Sequence, residues 1–123
     1  MATKITEELW ELICEAKRQV RLNASGDQVV VVKTAKSNIY YFANHVLSGQ
    51  TEDEENFIQM LLNIADFEVK YVVCMWNDCN VEIPSFHFRK QLLAANPKNA
   101  KTVILLQTEP CLIYKDLKWT MPG

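Results

Sequence analysis

Between Val69 and Trp76 the chain reads Val-Lys-Tyr-Val-Val-Cys-Met-Trp, with a single charge at Lys70. A strand with one wet face alternates apolar and polar residues. A strand that stays apolar at successive positions needs cover on both faces, and helices usually provide it. Thr102 to Leu106 (Thr-Val-Ile-Leu-Leu) makes the same demand. Two such segments in one chain predict an α/β architecture with both strands central.

The remaining elements are arranged around these two. From Ile5 to Leu22 the residues Ile5, Leu9, Leu12, Ile13, Ala16 and Val20 recur at helical spacing with charges between them, as on an amphipathic helix lying on a core. Turn residues Asn23 to Gly26 end it. Val29–Val32 and Ile39–Phe42, joined by polar Lys33 to Asn38, read as an antiparallel hairpin. Polar Asn44 to Thr51 leads into a second helix, whose predicted inner face is Phe57, Met60, Leu61 and Ile64. Pro84 and Ser85 open a third helix after the loop Asn77 to Ile83, since proline's missing N–H is tolerated in a first turn. That helix turns Phe88, Leu92 and Leu93 inward and stops at Asn96-Pro97. A short last strand, Leu112 to Tyr114, lies too close to its predecessor for a helical crossover, so the two should pair antiparallel.

At 123 residues, 49% of them hydrophobic and 23% charged, the chain suits one globular domain spanning 1–123. Its net charge of -2, without an extended basic run, gives no reason to expect nucleic acid. No apolar run approaches the roughly 20 residues that span a bilayer. Met1 to Trp10 lacks the basic start and apolar block of a signal peptide, so the expected location is cytoplasmic, with reduced cysteines. Cys14, Cys74 and Cys111 lie in apolar segments and are expected to be buried.

The second half carries a more specific pattern. Val72-Val73-Cys74 is followed by Pro84-Ser85-Phe86-His87-Phe88-Arg89, then Leu92-Leu93, Asn96-Pro97, Val103-Ile104-Leu105-Leu106, and a tail with Leu117 and Pro122 before Gly123. This order resembles the cytidine deaminase family, in which a strand precedes a Pro-Cys-x-x-Cys-Arg motif opening a helix. The resemblance implies a three-layer fold, with a mixed five-stranded sheet and helices on both faces. It also implies a homo-oligomer, dimer or tetramer; the apolar tail with Trp119 and Met121 suits either an interface or an intramolecular cover.

Zinc deaminases hold their metal with one His or Cys and two Cys, while a nearby Glu moves protons. Zinc lowers the pKa of bound water enough to supply hydroxide, and thiolates hold the ion at fixed geometry. In this chain Ser85 and Phe88 stand where the two motif cysteines would be. A neutral hydroxyl is a weak zinc ligand and phenylalanine is none. The segment that would supply the third ligand and the Glu is Thr51-Glu52-Asp53-Glu54-Glu55, without Cys or His. Glu54 or Glu55 would stand in the place of the catalytic Glu. The bland reading is a capping box, Thr51 with Glu54, in a first turn whose acids suit the helix dipole. Asn44 matches the sugar-binding Asn of the family's Asn-x-Glu step, but Val46 replaces the Glu; the bland reading of Asn44 is a turn residue.

No cofactor is expected, with zinc as the alternative. A substitute metal site would draw on His45, Cys79 and His87. Trp76, Phe86 and Phe88 are candidates to wall a pocket at the strand ends, where open α/β sheets bind ligands, although core packing is the plainer role for Phe88. The ligand-binding candidates are therefore Asn44, Trp76, Ser85, Phe86 and His87. Three functions fit. The first is a non-catalytic, zinc-free protein binding a nucleoside-like small molecule or a protein partner. The second is a divergent nucleoside deaminase (cytidine or blasticidin type) or hydrolase, rearranged around Glu54, Glu55, His87 and Cys79. The third is a structural homo-oligomer.

Overall fold

The computed structural model describes residues 6–22, 27–108 and 111–122. Helix α1 (Glu7–Leu22) is followed by β1 (Gln28–Thr34), β2 (Ile39–Asn44), α2 (Glu52–Asn63), β3 (Val69–Trp76), β4 (Val81–Glu82), α3 (Phe86–Ala95), β5 (Val103–Thr108), β6 (Cys111–Asp116) and α4 (Leu117–Thr120). Short 3-10 turns at Val46–Ser48 and Pro97–Lys101 precede α2 and β5. The predicted start of α1 at Ile5 and the turn Asn23 to Gly26 lie outside the described residues, as does Gly123.

The sheet order is β2-β1-β3-β5-β6, with β4 attached to β3. Only the β3–β5 pair is parallel. The main path has the five expected strands. The two-residue β4 was expected to be loop, and its length explains why no periodicity marks it.

Burial follows from the central position of β1 and β3. Val30, Val32, Val72 and Cys74 face one cluster, with Phe57, Leu61 and Phe88 from α2 and α3. Val29, Val31, Val73 and Met75 face the other, with Leu9, Leu12, Ile13 and Ala16 of α1. Val72 to Met75 are fully buried, as the unbroken apolar run requires. Helices thus cover both faces, in three layers. Among the described residues, no helix is long and apolar enough to cross a membrane.

Several expectations are corrected. Ile64 is 46% exposed, because α2 ends at Asn63 and Ala65 turns into the left-handed region (φ 56). Ile58 and Glu54 complete the inner face instead, with Met60 only partly buried. Cys14 and Cys111 are exposed and only Cys74 is buried; Cys14 follows Ile13 in sequence but points off the α1 stripe. Pro84 stands just before the cap of α3 rather than inside its first turn, since Ser85 is the N-cap. The tail turns into α4, with Leu117 fully buried and Met121 packed on the core, while Trp119 is exposed beneath the Lys115 ammonium.

Candidate functional site at the strand ends

Strand register builds the floor of the site. Asn44 lies opposite Gln28, and Gln28 opposite Trp76. Residues in register share a face, and Val30 and Cys74, two positions along, face α2 and α3. Asn44, Gln28 and Trp76 therefore form a polar row on that face, at the end of the sheet. Glu82 of β4 joins it opposite Cys74. The Trp76 indole N–H and the Gln28 amide (3.5 Å) both donate to Glu82 Oε2.

The N-terminal turns of α2 and α3 meet above this row. Glu54 points inward and is 2% exposed. Its Oε2 accepts from Asn44 Nδ2 (3.0 Å) and from Ser85 Oγ (2.6 Å). Ser85 Oγ in turn accepts from the Phe88 N–H (3.1 Å), capping α3. Asn44 is itself 1% exposed, and its Oδ1 has no hydrogen-bond partner among the described residues. Thr51 makes no side-chain cap, so the capping-box expectation fails: Glu54 is engaged with Asn44 and Ser85. Thr51 Oγ1 instead reaches Glu55 Oε1 (3.2 Å).

The other candidates separate into distinct places. Glu55 lies on the outer side of α2, with His87 Nε2 at 3.3 Å from its Oε1. His45 Nδ1 lies 2.7 Å from Asp53 Oδ2, which also accepts the His45 backbone N–H (3.1 Å). Cys79 is exposed in the β3–β4 turn. No group of three or more His, Cys, Asp or Glu is placed to hold a metal ion among the described residues. Phe88 is fully buried against Phe42 and Phe57, with ring centroids at 5.6 and 6.2 Å. Phe86 is 48% exposed, with the Arg89 guanidinium over its ring. Burial, with Glu82 and Glu54 nearby, pushes the Cys74 thiol well above its ordinary value, so it is an inert core residue.

Beside the polar row lies an open groove of about 610 Å³, lined by Asp27, Leu47, Trp76, Asp78, Asn80 and Glu82 among others. Its size suits a small molecule. Sequence reading did not single out Gln28, Asp53 or Glu82. Only Gln28 left a trace, as a polar residue heading a run of valines.

By sequence, no family model and no curated protein matches the chain. Solved structures do match. The cytidine deaminase from Bacillus anthracis superposes with a TM-score of 0.69 at 14% identity, covering 92% of this chain and 86% of that one. A Glu-to-Asp variant of the cytidine deaminase from Mycobacterium tuberculosis gives 0.68 at 14% identity, covering 96% and 94%. The corresponding Glu-to-Gln variant gives 0.65 at 12% identity, covering 98% of both chains.

The chain has a cytidine deaminase-like fold. At this identity the likeness carries the fold alone, and the site must be judged on its own donors. Where the resemblance would place zinc ligands stand a serine hydroxyl occupied by two hydrogen bonds and a phenylalanine sealed in an aromatic cluster. This donor set does not fit zinc, which takes thiolates, imidazoles and carboxylates in tetrahedral array.

Proposed function

We propose that this chain is a zinc-free, non-catalytic protein on the cytidine deaminase-like fold, and that it binds a nucleoside-like small molecule at the strand-end groove. The Asn44–Glu54–Ser85 network carries the reading. We read Glu54, buried and hydrogen-bonded to Ser85, as standing where the resemblance puts the proton-shuttling Glu. The residue two before it, where the resemblance puts the third ligand, is the exposed Glu52. A carboxylate held by an amide and a hydroxyl and shielded from solvent serves the structure, and the donors beside it do not suit the zinc that would activate a water. The half-buried Trp76 ring and the amides and carboxylates lining the groove supply a flat apolar surface and hydrogen-bond partners, the mix that small-molecule sites use.

Elemental analysis of protein purified without chelator, with a cytidine turnover assay and an NMR titration with nucleosides, tests this. The expected result is no stoichiometric zinc, no deamination, and shifts confined to resonances of Trp76, Glu82 and their neighbours. Stoichiometric zinc or turnover overturns the non-catalytic reading; a titration without shifts overturns the binding.

A second reading keeps one specific observation. His87 Nε2 lies 3.3 Å from Glu55 Oε1, an approach that a small shift would turn into the hydrogen bond a rearranged hydrolytic site requires. Hydrolysis of a nucleoside analogue that His87→Ala abolishes would favour it over the first.

A further inference from the structure

The sheet has two outer edges, and they differ in chemistry. β6 (Cys111–Asp116) carries Lys115 and Asp116. β2 reads Ile-Tyr-Tyr-Phe-Ala-Asn, without charge or proline. Natural edge strands are usually blunted by charge, proline, a bulge or a cover. Among the described residues, β2 pairs only with β1.

Register states which groups remain on that edge. Thr34 N–H donates to the Asn38 carbonyl (2.9 Å), so the residue pairs of even number are the hydrogen-bonded ones along this hairpin. Tyr40 and Phe42 therefore spend their backbone groups on β1. Ile39, Tyr41 and Ala43 turn theirs outward. Ile39 and Tyr41 are 39% and 47% exposed. They share the α1 face of the sheet, where α1 packs chiefly over β1 and β3. The apolar strip continues onto Trp10 (48% exposed) and Cys14 of α1, which border one groove with Ile39.

We infer that β2 is a dimerisation edge, pairing antiparallel with β2 of a second copy of this chain about a two-fold axis at Tyr41. This inference rests on the strand edge and does not depend on the proposed function. Self-pairing centred on Tyr41 sets Ile39 opposite Ala43 of the second copy and Tyr41 opposite its own mate. All three outward-facing residues then fall in hydrogen-bonded pairs, so each free N–H and C=O on the edge gains a partner. An axis between two residues would pair outward groups with inward ones, and a centre at Tyr40 or Phe42 would leave Ala43 or Ile39 opposite a residue outside β2. Large Ile39 meets small Ala43, and Tyr40 lies opposite Phe42 on the other face. The same axis runs the two α1 helices antiparallel. A self-complementary patch of this kind closes as a two-fold dimer.

Sedimentation equilibrium of the whole chain tests the edge, since dimer stability depends on protomer concentration. The expected mass is twice 14.2 kDa, or a higher even multiple. Tyr41→Lys, at an exposed side chain, is expected to halve that mass with an unchanged circular dichroism spectrum. Tyr41→Cys, in a background with Cys14, Cys79 and Cys111 replaced by serine, provides an independent arm. Facing Cα atoms of a hydrogen-bonded pair lie about 5.5 Å apart, within the disulfide range of about 4.4–6.8 Å. Oxidation is expected to link Tyr41→Cys into dimers and to leave the equivalent Tyr40→Cys protein unlinked. A monomer at about 100 µM overturns the inference. So does an assembly whose mass Tyr41→Lys leaves unchanged, or cross-linking that is equal for the two cysteine variants.

Discussion

Glu54 shows how one side chain's direction alters the meaning of an acidic run. Glu52 and Glu55 face solvent, while Glu54 is enclosed with Asn44 and Ser85. Glu54→Ala removes the acceptor for the Asn44 amide, which is itself buried. An unsatisfied buried group of this kind costs about 1–3 kcal/mol, so thermal unfolding should report a loss of at least that size. Glu54→Gln keeps an oxygen that can accept from Ser85 and Asn44, and should cost less than the alanine variant. A glutamine variant as unstable as the alanine one would show that the negative charge, and not the hydrogen bonds, holds the network. The identity of Ser85 and Phe88 was legible in the sequence. The inward turn of Glu54 rather than Glu55 was not, because adjacent residues on a first turn differ by about 100° in direction and only packed neighbours decide which one is buried.

At the scale of elements, the β3–β4 turn holds an exposed thiol in an unusual backbone state. Cys79 has φ 68; its N–H donates to the Trp76 carbonyl (2.8 Å), and the Trp76 N–H donates to the Asn80 carbonyl (2.8 Å). An L-residue in the left-handed region costs roughly 1–2 kcal/mol that glycine does not incur. Glycine also gains freedom in the unfolded chain, which offsets part of this. Cys79→Gly is therefore expected to stabilise the protein by about 0.5–1 kcal/mol, measured by urea denaturation; a destabilised variant would mean the thiol makes a contact that outweighs the strain. This turn aims Asn80 and Trp76 at the groove. Sequence reading took Asn77 to Ile83 as loop throughout, since two residues of strand carry no period. The long elements were legible because α1 and α3 bury apolar residues at helical spacing, while β1 and β3 are apolar at successive positions.

Across the whole molecule, Asp66 ties the hairpin to the end of α2. It is buried (4% exposed) and accepts from Asn38 Nδ2 and Tyr40 Oη, both at 2.8 Å. Burial opposes its ionisation, but the hydrogen bonds from Asn38 and Tyr40, with the Thr34 hydroxyl and the Lys36 charge nearby, outweigh it and hold the carboxyl below its ordinary value of 3.8. The Tyr40 hydroxyl is raised by the same hydrogen bond. A depressed carboxyl contributes stability that is present above the ordinary value and lost as pH falls through the folded one. Asp66→Asn is expected to lower Tm near about pH 7 and to narrow the fall in Tm between there and about pH 3. Parallel curves for the two proteins would assign the acid sensitivity elsewhere.

The residues alone determined the fold class and the identity of Ser85 and Phe88, where the resemblance would put thiolates. An uninterrupted apolar strand must be covered twice, and a side chain without a donor atom cannot hold a metal in any conformation. Tertiary structure decided the rest: that Cys14 and Cys111 are exposed, that His45 meets Asp53 and His87 meets Glu55, and that β2 is left as an uncharged edge. These facts depend on which elements become neighbours. Proximity between residues distant in the chain is set by packing the whole core at once, and no local pattern records it.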